Sequence, residues 1–396
     1  MIDKITIKNF RSIEAAEVAL SRITVFYGPT SSGKSSLLYA LMVLRNFVLN
    51  PNRQADGFFH LGFMDLGGFE ACVFNHDPSR NVEISVGYKG RTGEASSYGI
   101  SFSKTSCDIS QILGSFQMTG KVNLPYALNQ TFPFAYKEED NEYTVNWNGI
   151  ICSATPTQPT AQSQHKAQEI TIDINKSTEV LKAIDISPPN RGFFKPSYTP
   201  ISPSPTPTTE DEVASIIIND QHLPGRISIY AEEIFKRDFR IYTPSGTATN
   251  FFQATDKRSK IPVLLVNEGF GVNQVIYLLA KALRINVGTI LIEEPEVHLH
   301  PTVVRNFVKS LCSLAKEEKK QVLLVTHSET FLLKLLASVV DGTLAQDDFR
   351  CYLTSKERRI TTFQEQKVYK DGQIEGGLGS FMEAEIEDIK KFLGVK

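Results

Sequence analysis

Long apolar runs are missing from this 396-residue chain. None approaches the roughly 18 uninterrupted apolar residues that mark a membrane-spanning helix, so no membrane partner is expected. The opening, Met1 to Ile23, alternates charged and apolar residues and lacks the apolar core of a secretory leader. Cysteine is scarce and scattered: Cys72, Cys107, Cys152, Cys312 and Cys351, an odd number with no C-x-x-C pair. That usage argues against a structural zinc site and for a reducing, cytoplasmic setting, where the thiols serve as small buried hydrophobes. An excess of one charge is missing too. Lys and Arg total 42 against 44 Asp and Glu, a net −2, which excludes the strong positive field of a dedicated nucleic-acid coat protein but not a local basic patch. There is no internal repeat and no sustained heptad run, hence no extended coiled-coil arm.

What is present is an ordinary globular composition, 41% hydrophobic and 22% charged. Ile5 to Phe10 and Ile23 to Tyr27 read as short strands. Lys34 to Leu49 reads as a helix, with Leu37, Leu38, Ala40, Leu41 and Leu44 approximating a stripe. Half-exposed alternation follows at Val82–Val86, Tyr98–Phe102 and Tyr143–Trp147, which predicts an antiparallel β-rich lobe over residues 81–152. Residues 153–212 are rich in Thr, Ser, Pro and Gln, a loop or linker composition within an insertion spanning 153–261. From residue 262 a strand–helix rhythm takes over. It predicts a helix over Val272–Leu283, a strand over Thr289–Ile292, a helix over Thr302–Lys316, a strand over Val322–Thr326 and a helix over Ser328–Val339. Such alternation implies a parallel sheet. Gly379 to Lys396 reads as a charged surface helix.

Four stretches carry chemistry. Gly28-Pro29-Thr30-Ser31-Ser32-Gly33-Lys34-Ser35 fits G-x-x-x-x-G-K-[ST], between a predicted strand and a predicted helix, with Ser36 next in the helix. The glycines let backbone N–H groups curl round phosphates at a helix N-terminus. Lys34 is expected on the β- and γ-phosphates of ATP, and the Ser35 hydroxyl on Mg²⁺. Thr289-Ile-Leu-Ile-Glu293-Glu294-Pro295 is an apolar strand ending in two carboxylates, at the edge where α/β sheets bind ligands. Glu293 is assigned to the metal and Glu294 to general-base activation of a water. Gln321-Val-Leu-Leu-Val-Thr-His327-Ser328 is a second such strand. A neutral His327 can hydrogen-bond the γ-phosphate or place the attacking water, a catalytic role beside Glu294, while Thr326-His327-Ser328 also reads as a helix cap. Finally, Gly269-Phe270-Gly271-Val-Asn273-Gln274 opens a helix, either as a tight turn or as an anion site presented to a second subunit.

The order of these motifs resembles the ABC-type ATPase heads of the SMC, Rad-fifty, RecF and OLD proteins. The opening Ile7-Lys-Asn-Phe-Arg11-Ser12 is similar to theirs, and there an Arg at the position of Arg11 often touches the nucleotide. Glu293-Glu-Pro-Glu296-Val-His298-Leu-His300-Pro301 looks like the acidic motif and D-loop of the stand-alone prokaryotic members, and Gly269–Gln274 like their variant of the ABC signature. Pro188-Pro-Asn-Arg191-Gly192 and the hairpin-like Val368-Tyr-Lys-Asp-Gly-Gln add to the likeness. The resemblance implies one α/β fold over residues 1–396. This is a P-loop NTPase head of ABC type with a parallel-sheet core and an antiparallel β-rich lobe, its P-loop part in residues 1–80 and its signature, acidic strand and switch in 262–396. It also implies a homodimer that sandwiches two ATP molecules, each P-loop facing the partner's signature turn. Two features depart from the pattern. Gly269 stands where the signature serine is usual, and no Q-loop glutamine lies between Gln54 and Gln111, with Asp65, Asn75 and Asp77 as the nearby candidates.

Two outputs fit such a cycle. One is a DNA clamp of RecF or compact SMC type, coalescin included, associated with the nucleoid. Lys4, Lys8, Arg11, Arg45, Arg53 and Lys257-Arg258-Ser-Lys260 would supply its phosphate contacts. The other is a regulatory module of an anti-phage defence system that restrains a separate nuclease or toxin partner. A transporter subunit or a small-molecule kinase fits the motifs less well.

Overall fold

The structure, a computed structural model, describes residues 1–91, 93–138, 141–204 and 206–375. The chain divides into two compact units. The first comprises Met1–Leu20, Ser35–Ile184 and Lys356–Thr362; the second comprises Ser21–Lys34, Asp185–Ser355 and Phe363–Lys396. The expected helix over Gly379–Lys396 lies outside the described residues.

The first unit holds an antiparallel β-rich lobe that reaches beyond the expected 81–152, taking in two strands from residues 1–20. Its six-stranded sheet runs in the order Ile13–Ala19, Ile2–Phe10, Val82–Lys89, Ala95–Phe102, Ser106–Leu113, Phe116–Asn123, and the register given for each neighbouring pair is antiparallel. Register fixes which face is buried, because alternate residues point to opposite sides. Ile7, Ile84, Ile100 and Ile109 sit opposite one another across four strands and are all buried. The adjacent row, Thr6, Ser85, Gly99, Ser110 and Thr119, lies along the polar face. A second sheet orders Cys152–Pro156, Asn141–Trp147 and Phe132–Glu138.

Two expectations for this unit are corrected. Residues 161–182 are not linker but a 22-residue helix, Ala161–Lys182. Thr160 and Ser163 close its N-terminus reciprocally as a capping box, and Ala167, Ile170, Ile174 and Leu181 form a buried stripe at helical spacing. Its polar face covers a strand edge: Cys152 N donates to Asn175 Oδ1 (2.8 Å) and Ala154 N to Thr171 Oγ1 (3.0 Å). The helix Lys34–Leu49 carries no mere stripe either. Leu37 to Arg45 is buried on every side, so this is a core helix.

In the second unit a six-stranded sheet orders Ile184–Ser187, Thr289–Glu293, Gln321–Thr326, Ile23–Tyr27, Phe349–Glu357 and Ile360–Gln366. The four central strands run parallel. Burial on both faces explains why three of them, Thr289–Glu293, Gln321–Thr326 and Ile23–Tyr27, are largely apolar runs. The register sets the site. Glu293 pairs with Val325, and Thr326 with Tyr27. The next residues, Glu294, His327 and Gly28, therefore leave the sheet together at its C-terminal edge. Helices Phe270–Ala282, Pro301–Glu317 and Glu329–Val340 match their expected positions, while Glu210–Asn219 and Leu223–Phe235 fall where no helix was expected. Thr209 and Glu212 form a further capping box at the first of these. Val368 and Ile374 pair as the closing hairpin.

Candidate nucleotide site

The loop from Gly28 to Lys34, the candidate phosphate cradle, forms because three residues accept left-handed backbone: Gly28 (φ 141°), Ser31 (φ 64°) and Gly33 (φ 98°). At Gly28 a side chain is excluded outright, since a Cβ would lie 2.2 Å from the Thr354 carbonyl oxygen. Pro29, Thr30 and Ser31 are exposed at the mouth of the loop and Ser32 is buried, its N–H donating to Pro29 O at 3.3 Å. Lys34 starts the helix and is only 3% exposed. Its Nζ donates to Gly28 O (2.9 Å), Pro29 O (2.7 Å) and Ser32 Oγ (3.3 Å). Ser35 and Ser36 follow in the first turn of that helix.

Burial pulls the Lys34 ammonium down to about 8, with the Glu294 carboxylate opposing. A bound polyphosphate needs the charged form. ATP affinity should therefore be full below about pH 8 and weaken as pH rises through the free site's value. Nucleotide titrations between about pH 7 and 9.5 check this, and a flat profile would remove Lys34 from phosphate binding.

Glu293 ends its strand buried, 3% exposed. Glu294 is an L-residue in left-handed backbone (φ 45°), anchored by its N–H to Val325 O at 2.9 Å. This twist turns its carboxylate to His327, with Oε1 3.4 Å from Nε2. Burial and then the nearby Lys34 charge hold the His327 imidazole below its ordinary 6.5, against Glu294 and a hydrogen bond with the Gly28 backbone. A neutral ring that can donate or accept results near pH 7. The alternative reading of the same tripeptide also holds, because Ser328 Oγ caps the next helix by accepting from Phe331 N. Behind the pair, Glu296 Oε1 accepts from Thr326 Oγ1 (2.6 Å) and His327 N (3.3 Å). Burial pushes the Glu296 carboxyl above its usual range. The Arg191 guanidinium, itself buried, bonds the carbonyls of Glu293 and Glu294. Sequence reasoning gave neither residue a role. The i+3 spacing from Glu293 was the available signal for Glu296.

The proposed trans turn divides. Gly269 is the exposed N-cap of helix Phe270–Ala282, and a Cβ there would meet nothing within 4 Å. Phe270 is 60% exposed and packs on the His298 ring at a 5.5 Å centroid distance. Gly271 is pressed against its own chain, where a Cβ would lie 2.7 Å from His298 O. Asn273 and Gln274, expected to face a second subunit, instead point inward at 3% and 6% exposure. One turn beyond Phe270 the helix meets the core, and Asn273 is committed there: it accepts from Phe193 N (2.7 Å) and donates to Phe193 O (2.8 Å).

Arg11 belongs to the first unit, where its guanidinium lies 5.5 Å over the Tyr39 ring. Of the Q-loop candidates, Asp65 accepts from Gly67 N and Asp77 from Ser79 N, both local turn bonds, and Asn75 takes left-handed backbone. Among the described residues no three His, Cys, Asp or Glu side chains gather as a metal cage. A divalent ion beside Glu293 would have to draw on phosphate oxygens and water, the habit of Mg²⁺ rather than of zinc. Among the described residues no helix is long and apolar enough to cross a membrane.

The model of the AAA ATPase domain family matches residues 1–197 and 206–332. A curated relative, the OLD nuclease of Thermus scotoductus, is 22% identical over 357 residues. That alignment takes in 84% of this chain, which spans only 60% of the relative's length. Among solved structures, an Smc head bound to the C-winged helix domain of ScpA superposes with a TM-score of 0.50 at 11% identity, covering 92% of this chain and 97% of that one. At that identity the likeness is one of fold. With the Gly28–Lys34 loop, an acidic strand end and His327 on one sheet edge, and a family model matching most of its length, the chain belongs to the AAA ATPase domain family and has the ABC-type P-loop fold of the SMC and OLD-like heads.

Proposed function

We propose that this protein is an ATP-hydrolysing, dimerising switch. The observation that carries the reading is the Glu294–His327 pair, 3.4 Å apart on the sheet edge that also bears Lys34. A carboxylate beside a neutral imidazole can take a proton from a water and keep that water in place. Glu293 and the Ser35 hydroxyl would hold Mg²⁺, whose charge would offset that of the phosphates. Exposed Gly269 and Phe270, at a helix N-terminus, would close on the ATP of a second copy. With Gly269 in place of serine, backbone N–H groups would make that contact.

For the output, one reading is an ATP-gated clamp on duplex DNA. Arg53, Arg258 and Lys260 are exposed as that reading needs, but four of the charges nominated for it favour the other. Lys4 pairs with Glu17 (3.3 Å) and Lys8 with Glu83 (2.9 Å), Lys257 pairs with Glu232, and Arg45 is buried. Ion-paired lysines release few counterions on meeting a phosphate backbone. A protein effector, restrained or released with the ATP state, suits this evenly charged surface. The Smc head of the same fold is itself bound to a winged-helix domain.

The test is duplex-DNA affinity of Glu294→Gln with Mg-ATP across a salt series. ATP-dependent binding whose log K falls with log salt at a slope of about −0.9 per phosphate contact establishes the clamp. No binding at low salt by an ATP-closed dimer rejects it in favour of the effector module.

A further inference from the structure

We infer that Arg191 is a positioning residue, which sets the reactive geometry of Glu294 by gripping the backbone of both glutamates at the end of the acidic strand. The inference rests on the ATPase reading above. Strand Ile184–Ser187 is the sheet neighbour of Thr289–Glu293, and its exit turn, Pro188-Pro189-Asn190, sends Arg191 back over the carboxyl end of that neighbour. There Nη1 donates to Glu293 O at 2.6 Å and to Pro188 O at 2.9 Å, while Nη2 donates to Glu294 O at 2.9 Å. One planar fork thus ties the turn it belongs to and two consecutive peptide groups. Those two groups are where the strand stops being extended and Glu294 enters left-handed backbone. An L-residue leaves that region readily unless its neighbours hold it.

Three hydrogen bonds hold the backbone of Glu294: its own N–H donates to Val325 O, and its carbonyl accepts from Val297 N (3.3 Å) and, at the shorter 2.9 Å, from the Arg191 fork. The Val325 carbonyl fixes one peptide plane and the Val297 amide bears on the next, while the Arg191 fork alone grips both, through Glu293 O and Glu294 O, and so sets φ and ψ of Glu294 and with them the direction of its side chain. Arg191 is 2% exposed. It therefore works through backbone atoms rather than by touching nucleotide. The fork is itself held. Gly192 is packed against Asn273 Oδ1, and Phe193 exchanges two hydrogen bonds with the Asn273 carboxamide on the signature helix.

The experiment compares wild type, Arg191→Gln and Arg191→Lys for ATP dissociation constant, turnover and crystal structure, and adds Arg191→Gln in the Glu294→Gln background. Turnover should fall about 100-fold in Arg191→Gln and less in Arg191→Lys, which keeps the charge but not the fork, while ATP affinity stays within about threefold. Because the effect passes through Glu294, the double variant should turn over no more slowly than Glu294→Gln alone. Loss of ATP affinity in step with turnover, or a further full loss in the double variant, would overturn the inference and leave Arg191 as a packing residue. If Arg191→Gln does not fold, Arg191→Lys decides by the same split. If wild type binds ATP but hydrolyses none, the ATPase reading fails by itself and the crystal structures decide: Glu294 out of its left-handed conformation in the variant supports positioning, and Glu294 unmoved refutes it.

Discussion

Glu294→Gln should bind ATP as wild type does and lower its turnover by about 10²- to 10⁴-fold, the range over which a positioned general base contributes. The substitution is nearly isosteric, so the left-handed backbone, the bond from its N–H to Val325 O and the grip on its carbonyl should all persist. What is lost is proton affinity. A carboxamide accepts a hydrogen bond from the attacking water but cannot take its proton, and the His327 imidazole beside it is held below its ordinary range and is a weak substitute. On the proposed reading, phosphate contacts would come from the loop of Gly28 to Lys34, which the change does not touch. Quenched-flow phosphate release and filter-retained nucleotide separate the two steps. Turnover at the wild-type rate would mean that another group is the base. Loss of bound ATP would mean that Glu294 shapes the loop rather than the water. By sequestering ATP without consuming it, the same variant should populate the closed dimer, which is why it serves the DNA measurement.

The split between what sequence could and could not disclose follows the range of the interactions. Lys34–Leu49, Thr289–Glu293 and Gln321–Thr326 were legible because each is a contiguous apolar segment whose chemistry sits at its own end. Gly28, Glu294 and His327 converge because three neighbouring parallel strands end level, which follows once those strands are recognised. Arg191, marked only as part of a family-like stretch, had a role that was illegible for the opposite reason. Its partners are carbonyl oxygens about a hundred positions away, and any residue type offers a carbonyl, so the contact leaves no trace in the acceptors' identities. Asn273 misled for a related reason. On a helix that opens with glycines it reads as part of an exposed polar turn, yet its carboxamide satisfies both backbone groups of Phe193. The helix Ala161–Lys182 was hidden by composition, since polar residues outnumber apolar ones in it and the Thr, Pro and Gln of residues 155–160 run straight into it. Its signal lay in the spacing of Ala167, Ile170, Ile174 and Leu181, and in the cap at Thr160.

Lys34→Ala should weaken ATP binding by about 100-fold or more, as expected from removing a charged donor worth roughly 1.5–3 kcal/mol per hydrogen bond to phosphate. The ligand-free protein should behave in the opposite sense. Lys34 is buried, and burial drags its ammonium down to about 8, so in the folded chain the charged form is disfavoured relative to water. A lysine with a depressed value penalises folding fully at pH below about 8, and the penalty fades as pH climbs toward the ordinary lysine range near 10.5. The carbonyls of Gly28 and Pro29 and the Ser32 hydroxyl compensate only in part, being neutral acceptors. Removing the charge while keeping the stem, as in Lys34→Met, should therefore leave the ligand-free melting temperature at pH 7 unchanged or higher, and should abolish the rise that ATP gives the wild type. Alanine also forfeits the packing of the stem and should melt somewhat lower than methionine. Thermal melts with and without Mg-ATP read both effects at once. A methionine variant that melts well below wild type without ligand would show Lys34 to be a structural cation that the fold needs. One that melts above wild type and ignores ATP would show that the loop carries a stability cost which only the polyphosphate relieves, so that nucleotide occupancy and the order of this sheet edge rise and fall together.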